Sequence, residues 1–165
     1  MLFRSIYLDE DLQDTSATDF CIGVAGYPEK HFESPNLNTD LKYLKQKVDA
    51  GAQYIVTQMF FDNEKYFDFI KRCKENGINV PVIPGLKILT SKKQVTGLPK
   101  TFHIDLPQAL IDEIEKCKND EQVKQVGIEW CITQSKELMK HNVPCLHYYT
   151  MGNPVSVKKV ASAVY

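Results

Sequence analysis

The chain lacks an excess of charge of either sign and has no long apolar run. Its 165 residues carry 20 Lys and Arg against 21 Asp and Glu, a formal net charge of −1. That balance excludes the broad basic face with which proteins bind nucleic acid or anionic membrane surfaces. No apolar stretch approaches the roughly 20 residues of a membrane span, and the N-terminal MLFRSIYLDEDLQD turns acidic too early for a signal peptide. We therefore expect neither nucleic acid nor membrane as a partner.

Paired cysteine motifs are also missing. The five cysteines are odd in number and widely spaced, and none belongs to a Cys-x-x-Cys pair: Cys21, Cys73, Cys117, Cys131 and Cys145. Such spacing argues against a disulfide framework and against a zinc site. We expect buried free thiols, no metal, and a reducing, cytoplasmic compartment.

Common catalytic signatures are absent as well. The sequence contains no Gly-rich phosphate loop, no Gly-x-Ser-x-Gly elbow, no His-Glu-x-x-His and no paired acidic motif. Any chemistry must therefore depend on polar residues scattered along the chain.

The hydrophobic pattern alternates between short apolar runs and amphipathic segments. Strands are predicted over 21–27, 53–60, 80–86 and 145–149. Helices are predicted from an N-cap at Asn38 to Gly51, from a cap at Asp62 to Gly77, over 107–118 and 120–140, and from Pro154, with a helical turn over 91–96. This alternation predicts an α/β fold with a parallel sheet in a single domain, residues 1–165. Four strands are too few for a closed (β/α)8 barrel, so the sheet is either open or half of a barrel.

The first long helix places three polar side chains on one edge. At 100° per residue, Asp40, Tyr43 and Lys47 fall within about 60° of each other, beside the apolar positions. In α/β proteins, ligands bind where such helices begin, and a lysine there can neutralise phosphate while an aspartate accepts hydroxyl groups. An ordinary solvated helix face would show the same pattern.

Other candidates lie at strand ends. Tyr27 and His31 follow the first strand in YPEKH, where a phenol could pack on an aromatic cofactor and an imidazole could hydrogen-bond to it. Gln58 interrupts an apolar strand, so its amide needs partners from either a core network or a ligand. Gln94 lies on the predicted turn, where an exposed side chain without a ligand is the ordinary interpretation.

Several segments together resemble the methylenetetrahydrofolate reductase family. They are YPEKH, DLKYLKQKVDAGA, VTQMFFD, VPVIPGLKIL and LHYYTMGN, in one order and at the family's spacing, from about residue 20 to the C-terminus. The resemblance implies the C-terminal half of a (β/α)8 barrel. It also implies FAD-dependent reduction of 5,10-methylenetetrahydrofolate to 5-methyltetrahydrofolate by NADH or NADPH, in one-carbon metabolism and methionine biosynthesis.

The resemblance assigns roles residue by residue. Tyr27, His31, Asp40, Tyr43 and Lys47 are expected to bind FAD. Gln58 and Gln94 are expected to contact the substrates, nicotinamide or folate. No catalytic residue is expected in this chain, because the family's acidic proton donor belongs to the N-terminal half, which has no counterpart here.

A half-barrel would leave two sheet edges unpaired. We therefore expect a fragment that needs an N-terminal half, or a second copy of itself, to complete the sheet. The alternative is a non-catalytic half-barrel that serves as an interaction or assembly module without flavin.

Overall fold

The computed structural model of the protein describes residues 19–152 and 154–165. Four strands are present in this part of the chain: β1 Gly23–Gly26, β2 Tyr54–Met59, β3 Val82–Leu86 and β4 His147–Tyr148. Six helices accompany them: α1 Leu37–Asp49, α2 Asn63–Glu75, α3 Lys93–Phe102, α4 Gln108–Glu115, α5 Asp120–Lys140 and α6 Pro154–Val164.

The four strands form one parallel sheet in chain order, β1-β2-β3-β4. Each strand is followed by at least one helix, so every connection between neighbouring strands is a helical crossover. Sequential pairing of this kind is the arrangement of consecutive units of a (β/α)8 barrel. The predicted α/β class, with parallel strands forming part of such a barrel, is confirmed.

Buried apolar side chains form two clusters that hold the helices on the sheet. The first joins α1 and α2 to the strands through Leu41, Ile55 and Phe69, each at most 1% exposed. The second gathers Leu89, Leu110 and Val123 under α4 and α5. These clusters fix the position of each helix N-terminus relative to the strand end that precedes it.

The N-cap of α1 is Asn36, so the prediction of Asn38 was wrong. Asn36 has extended backbone angles, φ −158° and ψ 168°, and its side chain accepts a hydrogen bond from the Thr39 amide at 2.9 Å. Asn38 already lies within the first turn, where its side chain cannot fill that role. The predicted cap of α2 at Asp62 is confirmed, with the Glu64 amide donating to it at 3.0 Å.

Helix α3 is longer than the turn predicted over 91–96. It spans ten residues and contains Pro99, a residue that usually ends a helix. The helix stops soon afterwards, because His103 takes up left-handed angles with φ 53°. Leu98, which precedes Pro99, is 7% exposed and belongs to the second cluster.

The cysteines are all free, but only three are buried: Cys73, Cys117 and Cys131. Cys21 and Cys145 are exposed, which contradicts the expectation for those two. They lie two residues before β1 and β4, the outer strands of the described sheet, where one flank has no neighbour. Over residues 19–152 and 154–165, no helix is long and apolar enough to cross a bilayer. The same residues contain no group of three or more His, Cys, Asp or Glu that could hold a metal ion.

Candidate functional site

The turn after β1 is held by the side chain of Lys30. Its ammonium donates to the carbonyl of Ser34 at 2.7 Å and to that of His31 at 3.1 Å. Lys30 itself has φ 82°, and its amide donates to the Tyr27 carbonyl at 3.1 Å. This tight turn directs the chain from the carboxyl end of β1 back toward the start of α1.

Asp40 fastens that turn to α1. One carboxylate oxygen accepts from the His31 amide at 3.1 Å, and the other accepts from the Ser34 hydroxyl at 2.9 Å. Ser34 is only 7% exposed, so this hydrogen bond is shielded from water. Each carboxylate oxygen keeps a further lone pair with which it can accept a ligand hydroxyl.

The turn and one face of α1 form the walls of a groove of about 470 Å³. The lining residues are Tyr27, His31, Glu33, Ser34, Asp40, Tyr43, Gln46, Lys47 and Ala50. All five residues expected to bind a cofactor therefore lie on one groove: Tyr27, His31, Asp40, Tyr43 and Lys47. We call this feature the α1 groove.

Aromatic and imidazole rings meet at the inner end of the α1 groove. The rings of Tyr27 and His31 are in edge contact, with centroids 4.6 Å apart and an interplanar angle of 75°. Burial, followed by the negative charge of Asp40, raises the pKa of Tyr27, which keeps the phenol protonated as a donor. His31 Nδ1 accepts from the Glu33 amide at 3.3 Å, which assigns the ring proton to Nε2.

Lys47 supplies the positive charge of the α1 groove. Within the described ranges its ammonium makes no hydrogen bond or ion pair, whereas Asp40 has both carboxylate oxygens engaged. Tyr43, one turn before Lys47, is 52% exposed and lines the same groove. An ammonium without a partner among the described residues and an exposed aromatic ring on one groove suit a ligand that combines an anionic group with a flat ring.

Gln58 lies outside the α1 groove but next to Tyr27. The two residues line a small cavity of about 10 Å³ at the carboxyl ends of β1 and β2. Gln58 Oε1 accepts from the amide of Met59 at 2.9 Å, where the β2–β3 register is irregular. Its amide nitrogen is therefore left to donate to a ligand carbonyl.

Gln94 lies in a different pocket, of about 120 Å³, beyond β3. Its Oε1 accepts from the Thr90 amide at 2.7 Å, which fixes the side chain across the start of α3. Tyr149 also lines this pocket. The pKa of Tyr149 is raised by burial and then by the charge of Tyr27.

Three residues that line the α1 groove or the Gln94 pocket were not predicted as site residues from the sequence: Ser34, Lys87 and Tyr149. Ser34 gives no sequence signal, because its contact with Asp40 depends on the shape of the turn. Lys87 does give a sequence signal, since it is a charged residue directly after an apolar strand. Tyr149 follows the short strand β4, and its hydroxyl donates to the Thr57 carbonyl at 2.8 Å.

A larger groove of about 680 Å³ contains none of the expected site residues. It lies among α2, α4 and α5 and is lined by Trp130, Glu129 and Glu137 among others. It shares no lining residue with the α1 groove.

Comparison with known proteins gives consistent matches. The family model for methylenetetrahydrofolate reductase matches residues 6–164, beginning earlier than the expected residue 20. The chain is 33% identical over 164 residues to the probable methylenetetrahydrofolate reductase (NADPH) of Caenorhabditis elegans, covering 98% of this chain and 25% of that protein. It is 37% identical over 135 residues to the 5,10-methylenetetrahydrofolate reductase of Salmonella typhimurium, covering 81% of this chain and 46% of that protein.

A solved structure shares the fold. It is an uncharacterized protein from Clostridium thermocellum that binds two copies of 5-methyl-5,6,7,8-tetrahydrofolic acid, with a TM-score of 0.63 and 20% identity. The match covers 88% of this chain and 53% of that one. The chain thus spans between a quarter and about half the length of the proteins it matches.

Proposed function

This chain belongs to the methylenetetrahydrofolate reductase family, and we propose that it forms the flavin-binding part of such a reductase. The proposed reaction is the reduction of 5,10-methylenetetrahydrofolate to 5-methyltetrahydrofolate, with NADH or NADPH as reductant and FAD as cofactor, in the cytoplasm. The observation that carries this proposal is the α1 groove. It brings an unpaired ammonium, a hydroxyl-accepting carboxylate and two phenol rings together at the carboxyl end of a parallel sheet.

The chemistry of the groove fits the parts of FAD. Lys47 would pair with the diphosphate, and the remaining lone pairs of Asp40 would accept hydroxyl groups of the ribityl chain or ribose. His31 would donate from Nε2, while Tyr27 and Tyr43 would pack against ring or ribityl carbons. When bound, the flavin supplies the hydride-transfer chemistry, and the protein supplies position and electrostatics.

The two glutamines would serve the substrates. The amide nitrogen of Gln58 makes no hydrogen bond among the described residues, so it can donate to a carbonyl of nicotinamide or of the folate pterin bound over the carboxyl ends of the strands. Gln94, fixed by Thr90, likewise has a free amide nitrogen for a more distant part of the folate. We assign no catalytic acid to this chain, and we place the proton donor in the part of the enzyme that this chain does not span.

Completion of the sheet is part of the proposal. Within the described residues, β1 and β4 each pair on one side only, and unpaired edges favour association with further strands. An N-terminal half, or a second copy of the chain, would supply them.

The test compares flavin binding by the 165-residue chain and two lysine variants, alone and after co-expression with a candidate N-terminal half. Lys47→Met should weaken FAD binding about tenfold or more, because one charge-assisted contact is lost. Lys42→Met is the matched control, since Lys42 is exposed on the same helix but does not line the groove. Visible flavin absorbance after dialysis and a fluorescence titration give the affinities.

The outcomes separate the two functions considered. Retained flavin in the wild type and in Lys42→Met, with loss in Lys47→Met, supports the reductase. Equal affinity in all three proteins would remove Lys47 from the cofactor site. Absence of bound flavin even with the complementary half would favour the non-catalytic assembly module.

A further inference from the structure

Lys87 is a buried cation that the proposed cofactor site does not use. It directly follows β3, at the carboxyl end of the sheet, and is 7% exposed. No described residue forms a hydrogen bond or ion pair with its ammonium, and burial lowers its pKa. The stem of the side chain is buried, whereas the ammonium nitrogen is not among the fully buried unpartnered atoms of the described residues, so it remains accessible to a ligand.

Lys87 lines a pocket that also contains a buried hydroxyl without a hydrogen-bond partner among the described residues. The pocket has a volume of about 120 Å³, and its polar lining includes Lys87, Gln94 and Ser156. Ser156 lies in the first turn of α6 and is 2% exposed, yet its hydroxyl has no hydrogen-bond partner among the described residues. Leaving a buried hydroxyl unpaired costs on the order of 1–3 kcal/mol, so this group lowers the stability of the fold.

The described lining of the pocket offers donors and includes no Asp or Glu. The Gln94 oxygen is already engaged by Thr90, so the amide nitrogen is the group left available. An ammonium, a hydroxyl and an amide around one small space form a donor set for an anionic oxygen group.

The volume of the pocket limits which chemical groups can bind in it. A volume of 120 Å³ is about four times the share of one water molecule in the liquid, roughly 30 Å³. One carboxylate or phosphate group fits this space, whereas a pterin or flavin ring system does not.

We propose that Lys87, Ser156 and Gln94 form an anion subsite that binds a carboxylate or phosphate group of a ligand lying across the carboxyl ends of the strands. The identity of that ligand rests on the proposed function. The folate substrate carries carboxylates at its glutamyl end, and the nicotinamide reductant carries a diphosphate. Lys87 acts here as a binding and specificity-determining residue, and the group it binds lies far from the reacting ring.

The first experiment is an NMR titration of the full chain labelled with ¹³C at the lysine side chains, with Lys87→Met used to assign the Lys87 signal. The probes are p-aminobenzoylglutamate, inorganic pyrophosphate and the uncharged p-aminobenzamide. We expect the Lys87 signal to move and its pKa to rise with at least one anionic probe and not with the amide. A response to p-aminobenzoylglutamate alone identifies the substrate carboxylate, and a response to pyrophosphate alone identifies the reductant. If neither anion moves the Lys87 signal, the proposal is wrong.

The second experiment measures the affinity of the anionic probe that responds. Lys87→Met should lower it about tenfold, and Lys93→Met, which removes an exposed lysine at the start of α3, should not change it. Equal affinity in the Lys87 variant would overturn the proposal. If Lys87→Met does not fold, Ser156→Ala and the wild-type titration still decide, because a lost hydroxyl donor should weaken the same probe severalfold.

This test is independent of flavin. Loss of FAD binding in Lys47→Met concerns the α1 groove only, so a failed flavin assay with a responsive Lys87 would reject the reductase and retain the anion subsite. Flavin binding that depends on Lys47, together with a Lys87 signal that no anionic probe moves, would retain the reductase and reject the anion subsite.

Discussion

The Ser34 hydroxyl donates a hydrogen bond of 2.9 Å to the Asp40 carboxylate, and Ser34 is 7% exposed. This contact, with the bond from the His31 amide to the same carboxylate, joins the turn after β1 to helix α1. Asp40 therefore has a structural task in addition to its place on the α1 groove. Loss of Asp40 would change both the fold and the binding of a ligand.

We expect Asp40→Ala to lower the free energy of unfolding by about 1–3 kcal/mol, because two donors lose a charged acceptor. Ser34→Ala should cost about 1 kcal/mol, since one neutral partner is removed and the carboxylate remains. Urea unfolding gives both values. The control is Asp49→Ala on the same helix, where an exposed pair with Lys45 is worth less than about 1 kcal/mol. A similar cost for the Asp40 and Asp49 variants would contradict the anchoring role.

The cap of α1 gives a second test. Asn36→Ala should destabilise the protein by about 1 kcal/mol, because the Thr39 amide loses its acceptor. Asn38→Ala should be neutral or slightly stabilising, since alanine is the better residue inside a helix. Thermal unfolding of the two variants side by side checks this, and the reverse order would restore the cap predicted from the sequence.

Gly85 is required where β3 approaches β2. A Cβ at this position would lie 2.2 Å from the Thr57 carbonyl oxygen and 2.7 Å from the Tyr149 ring. Gly85→Ala should therefore cost about 3 kcal/mol or more, through backbone displacement in the sheet. Gly97→Ala in α3 is the matched control. No atom lies within 4 Å of its added Cβ, so it should stabilise by up to about 1 kcal/mol. Urea unfolding of both variants measures the difference, and equal effects would argue against the close approach.

Because two thiols are buried, the free energy of unfolding is expected to decrease at alkaline pH. Burial raises the pKa of Cys73 and of Cys131 from an ordinary 9.0 to about 12. In the unfolded chain both thiols lose their protons near 9.0, whereas the folded protein keeps them protonated. The stability they provide is complete below pH 9.0 and decreases as the pH rises toward 12.

We therefore expect the free energy of unfolding to fall steadily as the pH rises above 9.0. The fall should be shallower in the Cys73→Ala/Cys131→Ala double variant. Unfolding in urea at a series of pH values measures both slopes. A matching double variant of the exposed Cys21 and Cys145 should retain the wild-type slope. Identical slopes in all three proteins would show that the buried thiols are not responsible.

Much of the fold could be derived from local patterns. The strands coincide with short apolar runs of the sequence. The Asp62 cap and the glycines Gly51 and Gly77 mark helix boundaries directly. The cap of α1 is Asn36 and not Asn38, because the backbone angles at the end of the preceding turn decide which residue caps the helix. Helix α3 continues through Pro99 to Phe102, an extension that local patterns do not predict.

The candidate site, too, could be predicted only in part from the sequence. Periodicity placed Asp40, Tyr43 and Lys47 on one edge of α1, since residues three and four apart share a helix face. Their roles stay predictions, as do those of Tyr27, His31, Gln58 and Gln94. The hydrogen bond from Ser34 to Asp40, the separate pocket of Gln94 and the unpartnered Lys87 ammonium depend on contacts between distant segments. Local patterns carry no information about such contacts, because turn geometry and the packing of α6 against the strand ends determine which polar groups meet and which remain unpaired.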